Sequence, residues 1–124
     1  MISNIKIGLL GENIAFKYLI KNGYQILYRN KRLGFDEIDI VAMRVDGTLV
    51  FFEVKTHIVR EYDAFNPEDN FSFKKRRKMM RACRMFIAGH MRLVDDEKGW
   101  ETDLLTIRID KALSCATLRH YRNA

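Results

Sequence analysis

Apolar residues recur at helical spacing in two segments of the chain, which predicts two amphipathic helices. The first helix runs from a cap at Ser3 to about Asn22, where Gly23 provides a C-terminal stop. The second covers about 73–90, behind a cap at Ser72. The two predicted core-facing stripes are Ile7, Leu10, Ile14, Ala15, Tyr18 and Leu19, and Met79, Ala82, Cys83, Phe86 and Ile87.

The remaining apolar runs are short and indicate strands. Strands are predicted at 24–29, 37–44, 49–55, 100–109 and 115–121. Loops are predicted at 30–36, 56–71 and 91–99. The resulting order is α-β-β-β-α-β-β, which indicates an α/β fold with a central mixed sheet flanked by helices. A length of 124 residues suggests one domain over 1–124.

The loop between the second and third strands decides which charged side chains face each other. A two-residue turn at 46–47 places Asp39 opposite Val54, whereas a three-residue loop over 45–47 places it opposite Glu53. We favour the three-residue loop, with its glycine in the left-handed conformation, because that register gathers four charged side chains on one face of the hairpin.

In this register Asp39 lies opposite Glu53, and Glu37 lies opposite Lys55. Directly opposed residues have Cβ atoms roughly 4.5–5.5 Å apart, so two carboxylates there repel each other. A hard cation with oxygen ligands relieves that repulsion. The plainer alternative is a solvated sheet face on which Glu37 and Lys55 form an ordinary ion pair. The spacing alone leaves both interpretations open.

Charge adds a second feature. The chain has a net charge of +6 and a pI near 9.5, which permits a polyanionic partner. A basic run opens the second helix and consists of Lys74, Lys75, Arg76, Arg77 and Lys78. Positive charge at a helix N-terminus opposes the macrodipole, so we interpret this run as a phosphate-binding surface. The alternative is a solvated basic face.

Several other classes of site lack support. His57, His90 and His120 do not have the spacing of a zinc site, and no glycine-rich nucleotide loop or serine-hydrolase motif is present. The two cysteines, Cys83 and Cys115, are expected to be reduced. No apolar run approaches ~18 residues and no signal peptide is evident, so we expect a cytoplasmic protein without a membrane partner.

Several short motifs together point to a known family. They are Gly8-Leu9-Leu10-Gly11-Glu12, Glu37-Ile38-Asp39-Ile40, Phe52-Glu53-Val54-Lys55-Thr56, Asp103, and His120-Tyr121-Arg122-Asn123-Ala124. Taken together they resemble the PD-(D/E)xK nuclease superfamily, and specifically the small bacterial YraN-like proteins. From the strand pattern alone, Asp103 reads as a structural partner rather than as a further member of the site.

The resemblance implies a restriction endonuclease-like core and a set of roles. It implies that Asp39, Glu53 and the backbone carbonyl of Val54 hold Mg²⁺ or Mn²⁺. Lys55 would position the attacking water, and Glu12 would bind a water or a second metal. The basic residues Lys74 to Lys78 would contact the phosphate backbone of nucleic acid.

These roles predict a nuclease that cleaves phosphodiester bonds in DNA, with branched or repair intermediates as candidate substrates. The alternative is a nucleic-acid-binding module that has this fold and little or no activity. A third reading is a protein-interaction domain whose basic face binds an acidic partner. We expect no small-molecule cofactor, and a homodimer is compatible with the sequence.

Overall fold

The structure, a computed structural model, describes residues 4–59 and 72–124. Its helices and strands are α1 (Asn4–Lys21), β1 (Gln25–Leu33), β2 (Asp36–Met43), β3 (Leu49–Ile58), α2 (Phe73–Gly89), β4 (Trp100–Asp110) and β5 (Cys115–Tyr121). A short 3-10 helix, Met91–Leu93, follows α2. This order confirms the predicted α/β fold class. No helix within these two ranges is long and apolar enough to cross a membrane.

The five strands form one mixed sheet in the order β1-β2-β3-β4-β5. Neighbouring strands are antiparallel except for β3 and β4, which run parallel. Parallel strands need a crossover connection, and α2 lies in the connection between these two. The long β3–β4 ladder, from Leu49–Trp100 to Ile58–Ile109, makes this pair the centre of the sheet.

Each face of the sheet is covered by one helix, which divides the core in two. The α1 face contains Ala15, Leu19, Ile40, Ala42, Val50, Phe52, Leu105 and Ile107. The α2 face contains Ile38, Val41, Leu49, Phe51, Met79, Ala82, Cys83 and Phe86. Burial raises the pKa of the Cys83 thiol to about 12, whereas Cys115 is exposed on β5. The predicted inward face of the second helix is therefore confirmed.

The predicted hairpin register is also confirmed. The Arg44 N–H donates to the Thr48 carbonyl at 2.9 Å, as a three-residue loop requires. Gly47 has a φ of 95°, in the left-handed region that glycine adopts at little cost. The observed pairing of Ile40 with Phe52, continued by one residue, aligns Asp39 with Glu53.

Two strands, β1 and β3, extend well beyond their predicted ends. β1 continues to Leu33 and pairs with β2 through Leu33 and Asp36, so the predicted loop over 30–36 was wrong. Asn30 sits within this strand with a φ of 51°, a conformation that asparagine tolerates better than most residues. β3 continues to Ile58, so the predicted loop over 56–71 begins too early. The rest of that loop from 60 onward, and the Ser3 cap, lie outside the described residues.

The predicted core-facing stripe of α1 is confirmed at Ala15 and Leu19, which are buried, and at Ile14 and Tyr18, which pack against the core, but it is wrong at Leu10. Leu10 was expected to be buried, but its side chain is 42% exposed, while Gly11, Ala15 and Leu19 are buried. The reason is a close approach between α1 and β3 at Thr56. A Cβ atom on Gly11 would lie 2.8 Å from Thr56 Cβ and 2.9 Å from Thr56 Cγ2, so only glycine fits there.

Gly11→Ala is therefore expected to lower the free energy of unfolding by about 1–3 kcal/mol, because the added methyl group overpacks the α1–β3 contact. Gly8→Ala is the matched control, since nothing lies within 4 Å of a Cβ at that position. It should stabilise α1 by roughly 0.5–1 kcal/mol. Urea unfolding of both variants checks the contact. Equal effects of the same sign would contradict it.

Candidate active site

The strands β2 and β3 stop pairing just before the candidate site. Their last regular pair is Ile40 with Phe52. The N–H of Val54, which a continued ladder would direct at the main chain of β2, donates instead to Asp39 Oδ2 at 2.8 Å. The strands therefore fork at Asp39, and its carboxylate closes the end of the ladder. The carbonyl of Val54 points into the same fork, because both main-chain groups of a strand residue face the same neighbour.

The carboxyl groups of Asp39 and Glu53 are held against each other in this fork. Burial, followed by the charge of Glu53, raises the pKa of Asp39 to about 8, although the hydrogen bond from Val54 N–H opposes the rise. The charge of Glu12 adds to it, which puts the Glu12 carboxylate near the pair. The two carboxyl groups therefore resist carrying two negative charges together, so the pair holds a proton more tightly than a solvated aspartate does.

Lys55 lies beside the pair, on the same face of β3 as Glu53. Its Nζ is 2.9 Å from Glu53 Oε1, and both side chains are partly buried. The predicted pairing of Glu37 with Lys55 across the hairpin is not formed, and the alternative, an ordinary ion pair between them, is not formed either. The strands have forked before reaching them, and Glu37 pairs instead with Arg32, its neighbour on β1, at 3.5 Å.

Glu12 reaches the site from α1 and is tied to it through Asn30. The side-chain amide of Asn30 can be placed in two orientations related by a flip, and in one of them its nitrogen faces the carboxylates of Glu12 and Glu37. In that orientation it donates to Glu12 Oε1 and to Glu37 Oε1, each at 3.1 Å. We prefer it because the opposite orientation points an acceptor at two acceptors. Glu12 therefore lies near the carboxylate pair, and the role that the resemblance implies for it stays a prediction.

A cleft of about 260 Å³ opens next to the carboxylate pair, between the hairpin and α2. It is lined by Phe35, Asp36, Glu37, Glu53, Lys55, Lys75, Lys78 and Met79. The basic run on α2 is thus divided. All five side chains are exposed, but only Lys75 and Lys78 line the cleft, and Lys78 also borders the surface formed by Lys74, Arg76 and Arg77.

The carboxylates form a pair rather than a larger cluster. Within residues 4–59 and 72–124, no three histidine, cysteine, aspartate or glutamate side chains are close enough together to hold a metal ion. Mg²⁺ is commonly bound by one or two carboxylates, with waters and substrate phosphates completing its coordination. The donor set at the fork therefore suits a hard cation that is shared with a phosphate ligand.

A second polar network, which the sequence did not reveal, lies under α1. Asp103 is fully buried, and its Oδ2 is 2.6 Å from His120 Nε2. His120 Nδ1 is 2.9 Å from the Tyr18 hydroxyl, and the Asn123 N–H donates to Asp103 Oδ1 at 3.1 Å. Because Tyr18 and His120 are 102 residues apart, no local spacing signals this contact. The network supports the structural role expected for Asp103.

Comparison with known proteins identifies the family. The model of the uncharacterised protein family UPF0102 matches residues 11–112. A UPF0102 protein of Caldicellulosiruptor bescii is 40% identical over 108 residues, covering 86% of this chain and 87% of the relative. A second, from Corynebacterium efficiens, is 32% identical over 117 residues, covering 94% and 88%. These matches agree with the family that the motifs predicted.

More distant likenesses appear among solved structures. A repair endonuclease from Pyrococcus abyssi aligns with a TM-score of 0.47 and 14% identity, over 86% of this chain and 38% of that one. The Pyrococcus furiosus protein SfsA in complex with Ca²⁺ aligns with a TM-score of 0.43 and 17% identity, over 98% and 64%. The family assignment rests on the sequence matches alone.

Proposed function

The chain belongs to the uncharacterised protein family UPF0102, and we propose that it is a Mg²⁺- or Mn²⁺-dependent nuclease that hydrolyses phosphodiester bonds in DNA. The observation that carries this proposal is the partly buried Asp39–Glu53 pair at the fork, with Lys55 against Glu53. The resemblance of the motifs to PD-(D/E)xK nucleases supports the same activity. We propose that residues 1–124 act as a single nuclease-like domain in the cytoplasm.

In this proposal Asp39, Glu53 and the carbonyl of Val54 hold the metal ion. Such an ion acts as a Lewis acid on a phosphoryl oxygen and lowers the pKa of bound water. One oxygen of Asp39 accepts the Val54 N–H, which fixes the carboxylate, and the group also shares a hydrogen bond with Glu53 that a metal ion held by both carboxylates would replace. This fixed orientation favours binding, because little side-chain freedom remains to be lost.

Lys55 and Glu12 have supporting roles. Lys55 can release Glu53 and turn its ammonium group toward the attacking water, orienting that water and stabilising the hydroxide. The short ion pair with Glu53 holds Lys55 at the site before substrate arrives. Glu12, fixed through Asn30, would bind a water or a second metal ion from the α1 side.

Phosphate binding is assigned to Lys75 and Lys78, the two residues of the basic run that line the cleft. Replacing both with alanine should make the slope of log K against log salt for duplex DNA less negative by about two, since each phosphate contact contributes about −0.9 to that slope. The matched control is Lys74→Ala with Arg77→Ala, which removes the same charge outside the cleft. Titrations in EDTA at several salt concentrations check this. Equal slopes for the two double variants would contradict the assignment.

A cleavage screen tests the proposed activity directly. Single-stranded, duplex and branched DNA, and RNA, would be incubated with the protein in Mg²⁺, in Mn²⁺ and in EDTA. We expect cleavage of at least one DNA substrate in the presence of metal and none in EDTA. Cleavage that persists unchanged in EDTA would overturn the assignment of the site.

The second candidate is a nucleic-acid-binding module with little activity. It is favoured by one observation: among residues 4–59 and 72–124, no third histidine, cysteine, aspartate or glutamate side chain joins the carboxylate pair to hold a metal ion. Thermal melts separate the two functions. A metal ion at a hundredfold excess over its Kd adds about 2.7 kcal/mol of stability if it binds only the folded protein. Nucleic-acid binding without any such response to Mg²⁺ or Mn²⁺ would favour the module.

A further inference from the structure

Phe35 is a fully exposed aromatic side chain at the rim of the cleft. It occupies the second position of the two-residue turn between β1 and β2. Such turns usually place glycine, asparagine, aspartate or serine there, each for a conformational reason. Phenylalanine offers the turn no comparable advantage, and here its ring buries nothing in the core. Its ring is therefore available to a ligand.

The turn that carries Phe35 is held rigidly. Gly34 has a φ of 65°, as the first position of this kind of tight hairpin requires, and Leu33 pairs with Asp36 directly behind the turn. Asp36 then accepts two hydrogen bonds from the guanidinium of Arg81 on α2, each 3.0 Å long. These contacts fix the position of Phe35 relative to the helix that bears the cleft lysines.

The cleft therefore combines two kinds of recognition group. Lys75 and Lys78 provide positive charge, and Phe35 provides a flat apolar face. Phosphates bind the first, and nucleic-acid bases stack on the second regardless of their identity. In an intact duplex both faces of each internal base are covered by its neighbours, so stacking on a protein ring requires unstacking a base step, whereas an unpaired base offers its face without that cost.

We propose that Phe35 stacks against an unpaired base while Lys75 and Lys78 contact the neighbouring phosphates. The protein then prefers single-stranded or branched nucleic acid to intact duplex. This inference rests on the proposed function for the identity of the ligand, but stacking concerns binding and does not require cleavage. It narrows the substrate class to nucleic acid that carries unpaired nucleotides next to the carboxylate pair.

Binding measured in EDTA tests the inference without cleavage. The probes are a single strand with one 2-aminopurine, a flapped duplex with 2-aminopurine in the flap, and a blunt duplex. Phe35→Ala should weaken binding to the single strand and the flap by roughly 5- to 150-fold and leave the blunt duplex within about twofold. Phe35→Trp should preserve binding. Wild-type protein should quench the 2-aminopurine, and Phe35→Ala should not.

Leu113→Ala is the matched control, because Leu113 is another exposed apolar residue in a strand connection, between β4 and β5. It should bind all three probes like the wild type. Equal binding of Phe35→Ala and wild type to the single strand would overturn the stacking role, as would the absence of any binding by the wild type. Cleavage together with unchanged Phe35→Ala binding would retain the nuclease and remove the stacking. Binding that depends on Phe35, with no cleavage of any substrate, would retain the stacking role and remove the nuclease activity.

Discussion

Asp39→Asn is expected to abolish metal-dependent cleavage, by at least about a thousandfold, while leaving the fold intact. The loss follows because the metal contributes several kcal/mol to stabilising transition-state charge. The fold survives because the asparagine oxygen can still accept the Val54 N–H, and its amide nitrogen can donate to Glu53. Glu53→Gln should inactivate for the same reason. Turnover assays at saturating Mn²⁺ check the loss, and full activity in either variant would remove the carboxylates from the mechanism.

The same variant should be more stable than the wild type without metal, and increasingly so as pH rises. Asp39 has a folded-state pKa of about 8, above its usual value of 3.8, so the folded protein holds a proton that the unfolded chain releases. The stability that the proton on Asp39 gives the folded protein is fully present below about pH 4 and is lost as pH rises through 8. At pH 7 the ionisable carboxyl group of Asp39 therefore lowers the free energy of unfolding by at most about 4 kcal/mol relative to asparagine.

Urea unfolding in EDTA between pH 4 and pH 9 measures this difference. The wild type should lose stability across the range relative to Asp39→Asn. Asp96→Asn serves as a control for the removal of one carboxylate, because Asp96 is exposed and distant in sequence from the pair. Parallel curves for wild type and Asp39→Asn would show that the two carboxyl groups do not interact in the folded protein.

His120→Ala should lower the free energy of unfolding by about 3–5 kcal/mol, because it removes the side-chain partner of Asp103 Oδ2 and leaves this buried carboxylate with the Asn123 N–H on its other oxygen. Burial already raises the pKa of Asp103, and the hydrogen bond with His120 opposes that rise. Replacing both residues, Asp103→Leu with His120→Leu, should recover most of the loss, since a buried pair exchanged for apolar side chains is often neutral. Urea unfolding of the single and double variants gives the comparison. If the double variant is as unstable as His120→Ala, the lost stability comes from lost packing rather than from the unpaired Asp103 carboxylate.

The hairpin could be predicted because its geometry is local. A glycine at position 47 and a side-chain period of two determine the register, so Asp39 and Glu53 are aligned without reference to the rest of the fold. The fork beyond Ile40 is not local. It depends on where β2 leaves β3 in the folded sheet. There the Asp39 carboxylate, rather than a main-chain carbonyl of β2, accepts the Val54 N–H, and no pattern in the sequence signals that exchange.

The helix faces also divide into a part that local spacing predicts and a part that depends on contacts in the folded chain. The inward face of α2 follows from its apolar spacing, since Met79, Ala82, Cys83 and Phe86 are all buried. The face of α1 was misjudged at Leu10 because a glycine, which carries no apolar signal, makes the close contact with Thr56. Phe35 and the Tyr18–His120 contact were missed for another reason, since exposure and long-range pairing are properties of the folded chain.

The burial of Cys83 between α2 and the sheet, combined with the exposure of Cys115, makes the two thiols a kinetic probe of helix docking. A maleimide should modify Cys115 at once in the folded protein, whereas Cys83 should react only when α2 lifts from the sheet. In a Cys115→Ser background, the labelling rate of Cys83 therefore measures the opening frequency of the helix that carries Lys75 and Lys78. A nucleic-acid strand bound across the cleft, in contact with both the hairpin and α2, should slow that rate, giving an assay for substrate engagement that needs neither turnover nor a modified oligonucleotide.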